Sequence, residues 1–278
     1  MDSHTPEYQY VAGQRRERFP ALFAAFESAN DRTLAALAWQ LDIPYGAHAR
    51  ETFDLCPAIA PARGTVVYLH AGYWQSRDKA QFRFLAPALC AAGFNVALAG
   101  YPLCPDVTLA ALTAGVRKTL PAVAAALPPD QRGLPLIVAG HSAGGHLAVE
   151  LALSQGPDTP RETRIAGIVP ISGIYDLAPL VQTTLNERLR LDAGQARACS
   201  PRFRLRAGLP AAIFVVGKEE TAEFLRQNDE MAQAWRASGN AAQSIAVEGQ
   251  DHFSLLDVLG RPDGLLVGWV GELAAGVT

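Results

Sequence analysis

The chain is poor in the residues that usually announce a metal, a redox centre or a covalent framework. Its 278 residues include four cysteines, six histidines and two methionines. Cys56, Cys90, Cys104 and Cys199 are widely spaced and form no C-x-x-C pair, which argues against zinc and against a disulfide framework. They read as reduced thiols of a cytoplasmic protein. No His/Cys/Asp cluster has ligand spacing, so neither a metal nor an organic cofactor is expected. Charge of one sign is also scarce: the formal net charge is −3, and the scattered Lys and Arg form no basic stripe on which nucleic acid could sit. Long apolar runs are missing too. The tail from Gly264 to Val277 is short and interrupted by Glu272, so no membrane span is expected, and the polar, acidic start Met1-Asp2-Ser3-His4-Thr5-Pro6-Glu7 is unlike a secretory signal. Without repeats or low-complexity linkers, the length suits one large α/β domain.

What is present is an alternation of short branched runs with helical stretches, the pattern of a mostly parallel central sheet with helices on both faces. Strands are expected at Thr52–Leu55, Thr65–Leu69, Phe94–Ala99, Leu134–Ala139, Ile165–Ile171, Ala211–Val216 and Ser244–Val247. Helices are expected over Ala21–Leu41, Lys79–Ala92, Leu109–Leu127 with Pro121 tolerated, Glu223–Ser238 and a closing segment. Residues 177–206 break the rhythm. Their Arg, Pro and Gly content reads either as a cap-like insertion over the strand ends, where open α/β sheets bind ligands, or as an ordinary surface excursion.

The most informative stretch is Gly140-His141-Ser142-Ala143-Gly144, set between an apolar strand and an Ala/Leu-rich helix. That context is the nucleophile elbow: a sharp turn that lifts a serine hydroxyl above the sheet edge and tolerates only small neighbours. A serine nucleophile needs a base, and six histidines allow elimination. His4 lies in a loose tail and His48 precedes the first core strand. His141 fills the variable elbow position, His146 points away from the serine, and His70 ends a strand before a tight turn. His252 remains, on Gly249-Gln250-Asp251-His252-Phe253 after the last strand. The acid should follow a strand between Ser142 and His252, to hold the imidazole tautomer and stabilise imidazolium. Glu219 and Glu220, directly after Ala211–Val216, lead. Asp176 is the runner-up but suits a turn or cap, and Asp251 is too close in sequence to grip the ring. Main-chain donors for an oxyanion are expected from Ala143, after the nucleophile, and from Gly72 and Tyr73 in the turn His70-Ala71-Gly72-Tyr73-Trp74. Tyr73 and Trp74 read either as walls of an aromatic substrate pocket or as packing.

Several segments together resemble the kynurenine formamidase (arylformamidase) branch of the α/β-hydrolase serine esterases. They are Leu41-Asp42-Ile43-Pro44-Tyr45-Gly46, His70–Trp74, Tyr101-Pro102-Leu103-Cys104-Pro105, Gly140–His146, Ser172-Gly173-Ile174-Tyr175-Asp176-Leu177, Val216-Gly217 followed by Glu223-Phe224, and Asp251-His252-Phe253. The serine elbow is widely shared, whereas the His-x-Gly-Tyr-Trp turn combined with Asp-His-Phe is selective. The family register places the acid three residues before Glu223, which selects Glu220. Two departures stand out. The family usually has glycine where this chain has Ala71, which would matter if that position required a positive φ, and its acid is usually aspartate.

The resemblance implies an α/β-hydrolase fold and hydrolysis of an aryl formamide such as N-formyl-kynurenine through a Ser142-His252-Glu220 triad and an acyl-enzyme. A general carboxylesterase acting on small acyl or aryl esters is the alternative, and an inactive ligand-binding module is a remote one. The expected partner is a small molecule, with neither nucleic acid nor membrane, and association into a homodimer is left open.

Overall fold

Branched residues in runs too short for helices dominate the centre of the chain, and in the computed structural model, which describes residues 2–261 and 263–276, they form one eight-stranded sheet. The strands are β1 (Gln40–Pro44), β2 (Thr52–Cys56), β3 (Gly64–Leu69), β4 (Phe94–Ala99), β5 (Leu136–His141), β6 (Ile165–Ile171), β7 (Ala211–Gly217) and β8 (Ala242–Val247). Their order is β1-β2-β4-β3-β5-β6-β7-β8. β1 and β2 are antiparallel additions at one edge, and every pairing from β4 to β8 is parallel. After β3 the chain crosses to β4 on one side, and after that to β5 on the other. The carboxyl ends of β3 and β5 therefore flank the topological switch point, where open α/β sheets leave a crevice for ligands.

Side chains alternate between two cores. Val66, Tyr68, Val96, Leu98, Ile137, Ala139, Val169 and Ile171 face a layer built from helices Ala86–Ala91, Ser254–Leu259 and Leu265–Ala275. Val67, Leu69, Ala97, Ala99, Val138, Phe214 and Val216 face helices Leu109–Val116, Thr119–Ala126, Ala143–Leu153 and Ala222–Ala237. Because both faces are covered, central strands such as β3, β4 and β5 are buried along their whole length. Each fully buried Val, Leu or Ile contributes about 1.5–3 kcal/mol relative to an exposed one.

Several expected elements are corrected. The helix expected over Ala21–Leu41 runs Phe19–Ala36, and Gln40–Pro44 is edge strand β1. The stretch Lys79–Ala92 begins as a 3₁₀ segment, Lys79–Leu85, and becomes α-helical over Ala86–Ala91. Leu109–Leu127 is two helices that meet at Arg117 and Lys118. Pro121 is the third residue of the second, a position whose N–H has no intrahelical acceptor, so the proline costs no hydrogen bond. Ahead of the long first helix, Pro6–Tyr10 forms a short helix capped by Thr5, and Tyr10 is buried. Residues 177–206 contain short helical turns at Ala178–Gln182, Asn186–Leu189, Ala193–Ala198 and Pro201–Phe203. Among the described residues no helix is long and apolar enough to cross a membrane.

Candidate active site

β5 ends at His141 and the next helix starts at Ala143, which leaves Ser142 alone to make the turn, at φ 57° and ψ −115°. A non-glycine residue in that region is strained and persists only where its surroundings hold it. Here the Ser142 N–H donates to the Ile171 carbonyl of β6 at 2.8 Å. Small neighbours are obligatory. A methyl on Gly144 would lie 1.9 Å from the Leu69 carbonyl oxygen at the end of β3, and one on Gly140 would lie 2.2 Å from the Gly144 carbonyl oxygen. Strain recurs along the same edge of the sheet: Tyr73, Trp74 and Arg77 after β3 and Ser172 after β6 also have positive φ.

The structure brings Glu220 and His252 together. Glu220 Oε2 lies 2.7 Å from His252 Nδ1, and both side chains are buried. A carboxylate can only accept, so Nδ1 carries the proton and Nε2 is left as the basic nitrogen. The other carboxylate oxygen, Oε1, accepts from the Gly217 N–H at 2.8 Å and from Ser172 Oγ at 2.5 Å. Gly217 also lets the histidine loop close in, since a methyl there would lie 2.3 Å from the Gln250 carbonyl oxygen. Glu219 is exposed. Asp176 accepts from the Ala178 N–H and acts as a turn former. Asp251 caps the next helix through the N–H groups of Phe253 and Ser254 and pairs with Arg18. Although burial opposes it, these contacts hold the Asp251 carboxyl below the usual carboxylate range. Ser142 Oγ makes no hydrogen bond to the imidazole, a contact that in serine hydrolases often tightens only when substrate binds.

The loop after β3 is braced on several sides. The N–H groups of Gly72, Tyr73 and Ala143 donate to no acceptor among the described residues, as anion-binding donors must. Gly72 has φ 126°, and its carbonyl accepts from the N–H groups of Gln75 and Ser76. The positive φ values fall on Gly72, Tyr73 and Trp74 and not on Ala71, so alanine at 71 is unstrained. The Tyr73 hydroxyl donates to the Tyr10 carbonyl. Tyr10 in turn donates from its own hydroxyl to Glu223 and accepts there from Gln227. Trp74 has no exposed surface. It packs edge-on against His146, with 5.0 Å between ring centres.

The remaining buried histidines are structural. His141 Nε2 donates to the His252 carbonyl at 2.8 Å, steadying the loop that carries His252. Its pKa is driven well below the ordinary value by burial and by the neighbouring His252. His146 Nε2 donates to the Cys199 carbonyl, tying the elbow helix to the 177–206 segment. Two contributors were assigned no role from the sequence: Ser172, which stood only within one of the segments that carry the resemblance, and Tyr10, for which there was no signal.

A family model described as the alpha/beta hydrolase fold matches residues 66–256, and the chain belongs to that family. Within it the chain is kynurenine formamidase-like. It is 30% identical to the kynurenine formamidase of Danio rerio, covering 85% of this chain and 82% of the relative. The Drosophila melanogaster kynurenine formamidase is 27% identical over 69% of this chain and 66% of its own length. Among solved structures, a candidate thioesterase from Silicibacter sp. tm1040 superimposes with a TM-score of 0.83 at 29% identity, covering 94% of this chain and 97% of that one. A hyperthermophilic esterase from Pyrobaculum calidifontis does so with a TM-score of 0.74 at 16% identity, covering 93% and 92%, a likeness of fold. The protein is a hydrolase.

Proposed function

We propose that this hydrolase cleaves an aryl formamide such as N-formyl-kynurenine to formate and the free aromatic amine. The observation that carries the catalytic part is the buried Glu220–His252 pair at the sheet edge that also holds the strained Ser142. The formamide part rests on the kinship with kynurenine formamidases.

In this reading Ser142 Oγ attacks the formyl carbon while its proton passes to His252 Nε2, and Glu220 stabilises the imidazolium through Nδ1. The N–H groups of Ala143, Gly72 and Tyr73 hold the oxyanion. His252 then protonates the departing aryl amine. Water attacks the formyl-serine, giving its proton to His252, and formate leaves as Ser142 recovers its own.

A carboxylesterase acting on small acyl or aryl esters is the second reading, favoured by the esterases among the structural relatives. An inactive binding module is a third, and the unpaired oxyanion donors speak against it. Formyl and acetyl groups differ by one methyl, which a pocket discriminates by only about 10–200-fold, so relative rates must decide. The test is kcat/KM for N-formyl-kynurenine beside short-chain nitrophenyl esters. The formamide is expected to win, and Ser142→Ala and His252→Ala should each lose on the order of 10⁴–10⁶-fold, with the double variant little worse than either. Esters preferred a hundredfold would establish the second reading, and full activity in Ser142→Ala would end the serine mechanism.

A further inference from the structure

Arg77 is a half-buried cation with no ion-pair partner among the described residues. Its guanidinium lies over the ring of Phe23 at 4.4 Å, and none of its N–H donors meets an acceptor among the described residues. Other partly buried arginines are matched: Arg83 with Asp54, Arg50 with Asp78, Arg204 with Glu150. Desolvation alone acts on Arg77 and lowers its pKa, with no carboxylate opposing. A planar fork of five donors, partly out of water and unpaired, is unfavourable unless something arrives to fill it.

The backbone shows that this placement is enforced. Arg77 has φ 73°, a left-handed conformation that a long side chain adopts only under constraint, and Arg50 Nη2 donates to the Arg77 carbonyl at 2.6 Å. The first part of the side chain packs against the oxyanion loop, since a methyl on Gly72 would lie 2.9 Å from Arg77 Cγ. Its charge is felt at His141, the residue before Ser142.

The guanidinium faces a cavity of about 400 Å³ between helix Phe19–Ala36 and the segment that follows the loop, with walls from Phe23, Phe82 and Phe253. Phe253 also stands edge-on to His252 at 5.0 Å between ring centres. The cavity thus touches the oxyanion loop through Arg77 and the histidine loop through Phe253. On the helix side its rim carries Glu27 and Asp31, both exposed and without a cation partner among the described residues. Aromatic walls, one unpaired guanidinium and two unpaired carboxylates match an aromatic compound that bears a zwitterionic amino-acid arm.

Resting on the proposed formamidase reading, we infer that this cavity receives the amino-acid arm of the substrate, with Arg77 binding its carboxylate. The probe pair is N-formyl-kynurenine and N-formyl-kynuramine, which carries hydrogen in place of the carboxylate. In Arg77→Met the ratio of kcat/KM for the first to that for the second should fall at least tenfold, mostly through KM. Arg77→Lys, which keeps the charge but loses the planar fork, should leave the ratio between those of Arg77→Met and the parent. An unchanged ratio in Arg77→Met overturns the inference, as does an equal loss on both compounds, which would make Arg77 a support of the loop only. If the parent protein hydrolyses neither formamide, the formamidase reading fails, and the site is tested separately through inhibition of nitrophenyl-ester hydrolysis by kynurenine. Inhibition weakened tenfold in Arg77→Met would keep the carboxylate site, and equal inhibition, or none in the parent, would remove it.

Discussion

Two adjacent glutamates with opposite environments show how much a single position decides. Glu220 is buried with both oxygens engaged, by His252 on one side and by Gly217 and Ser172 on the other, whereas Glu219 is exposed. Glu220→Gln keeps the shape but removes the charge opposite the imidazolium. It also puts an amide where three donors converge, and kcat should fall on the order of 10²–10⁴-fold. Glu219→Gln should stay within about twofold. The reverse ranking, or inactivation by Asp176→Asn while both glutamine variants keep full rate, would relocate the acid. The residue pattern alone narrowed the acid to the turn after β7 and no further, because strand-end placement is common to both glutamates. What separates them is which side of that turn meets the histidine loop, and that depends on Gly217 admitting the backbone of Gln250.

At the scale of elements, the elbow is a contact between backbones. Gly144 sits against the end of β3 with no room for a methyl, while Gly271, on helix Leu265–Ala275, has no atom within 4 Å of where one would go. Gly144→Ala should therefore cost about 3 kcal/mol, lower Tm by roughly 6–12 °C and cut activity by displacing Ser142. Gly271→Ala should gain about 0.5–1 kcal/mol, because alanine loses less backbone entropy in a helix. Thermal denaturation of the two variants beside the parent measures both; a neutral Gly144→Ala would mean that the elbow yields.

The central parallel strands were legible because burial on both faces demands continuous branched runs, and Phe94–Ala99 and Ile165–Ile171 coincide with the expected segments. β1 was not legible. Its residues are largely exposed, Asp42 has a positive φ, and its pairing with β2 is irregular, so no alternation marks it. The break between the two helices at residues 109–126 does carry a mark, Pro121: a continuous helix would need an N–H there to reach the Arg117 carbonyl and room for the ring, so the chain restarts at Thr119 with Pro121 in its first turn.

For the molecule as a whole, buried neutral histidines set its response to acid. Burial lowers the His70 pKa from 6.5 to about 4, and the pKa values of His141 and His146 are lowered in the same sense, burial being the largest cause in each. The folded forms resist protonation while the unfolded chain accepts it freely. Their contribution to stability is therefore complete above pH 6.5 and is lost as pH falls toward 4. His70 alone accounts for about 2 kcal/mol by pH 5, by proton linkage. Urea denaturation from pH 7.5 down to 4.5 should show stability declining throughout, with net proton uptake on unfolding. A flat profile between pH 7 and 5 would mean that these rings are solvated.

The brace on the loop after β3 carries a consequence for how the chain is made. Tyr10, which receives the Tyr73 hydroxyl, is itself held by Glu223 and Gln227, partners 213 and 217 residues further along. During synthesis at about 5–20 residues per second, Tyr10 leaves the ribosome on the order of 10–40 s before those partners exist. His252 emerges later still. Tyr10 is thus made early and placed late, and the brace it gives the Tyr73 hydroxyl can form only after Glu223 and Gln227 have emerged, so that loop stays unsupported in the nascent chain while the strands beside it are already complete.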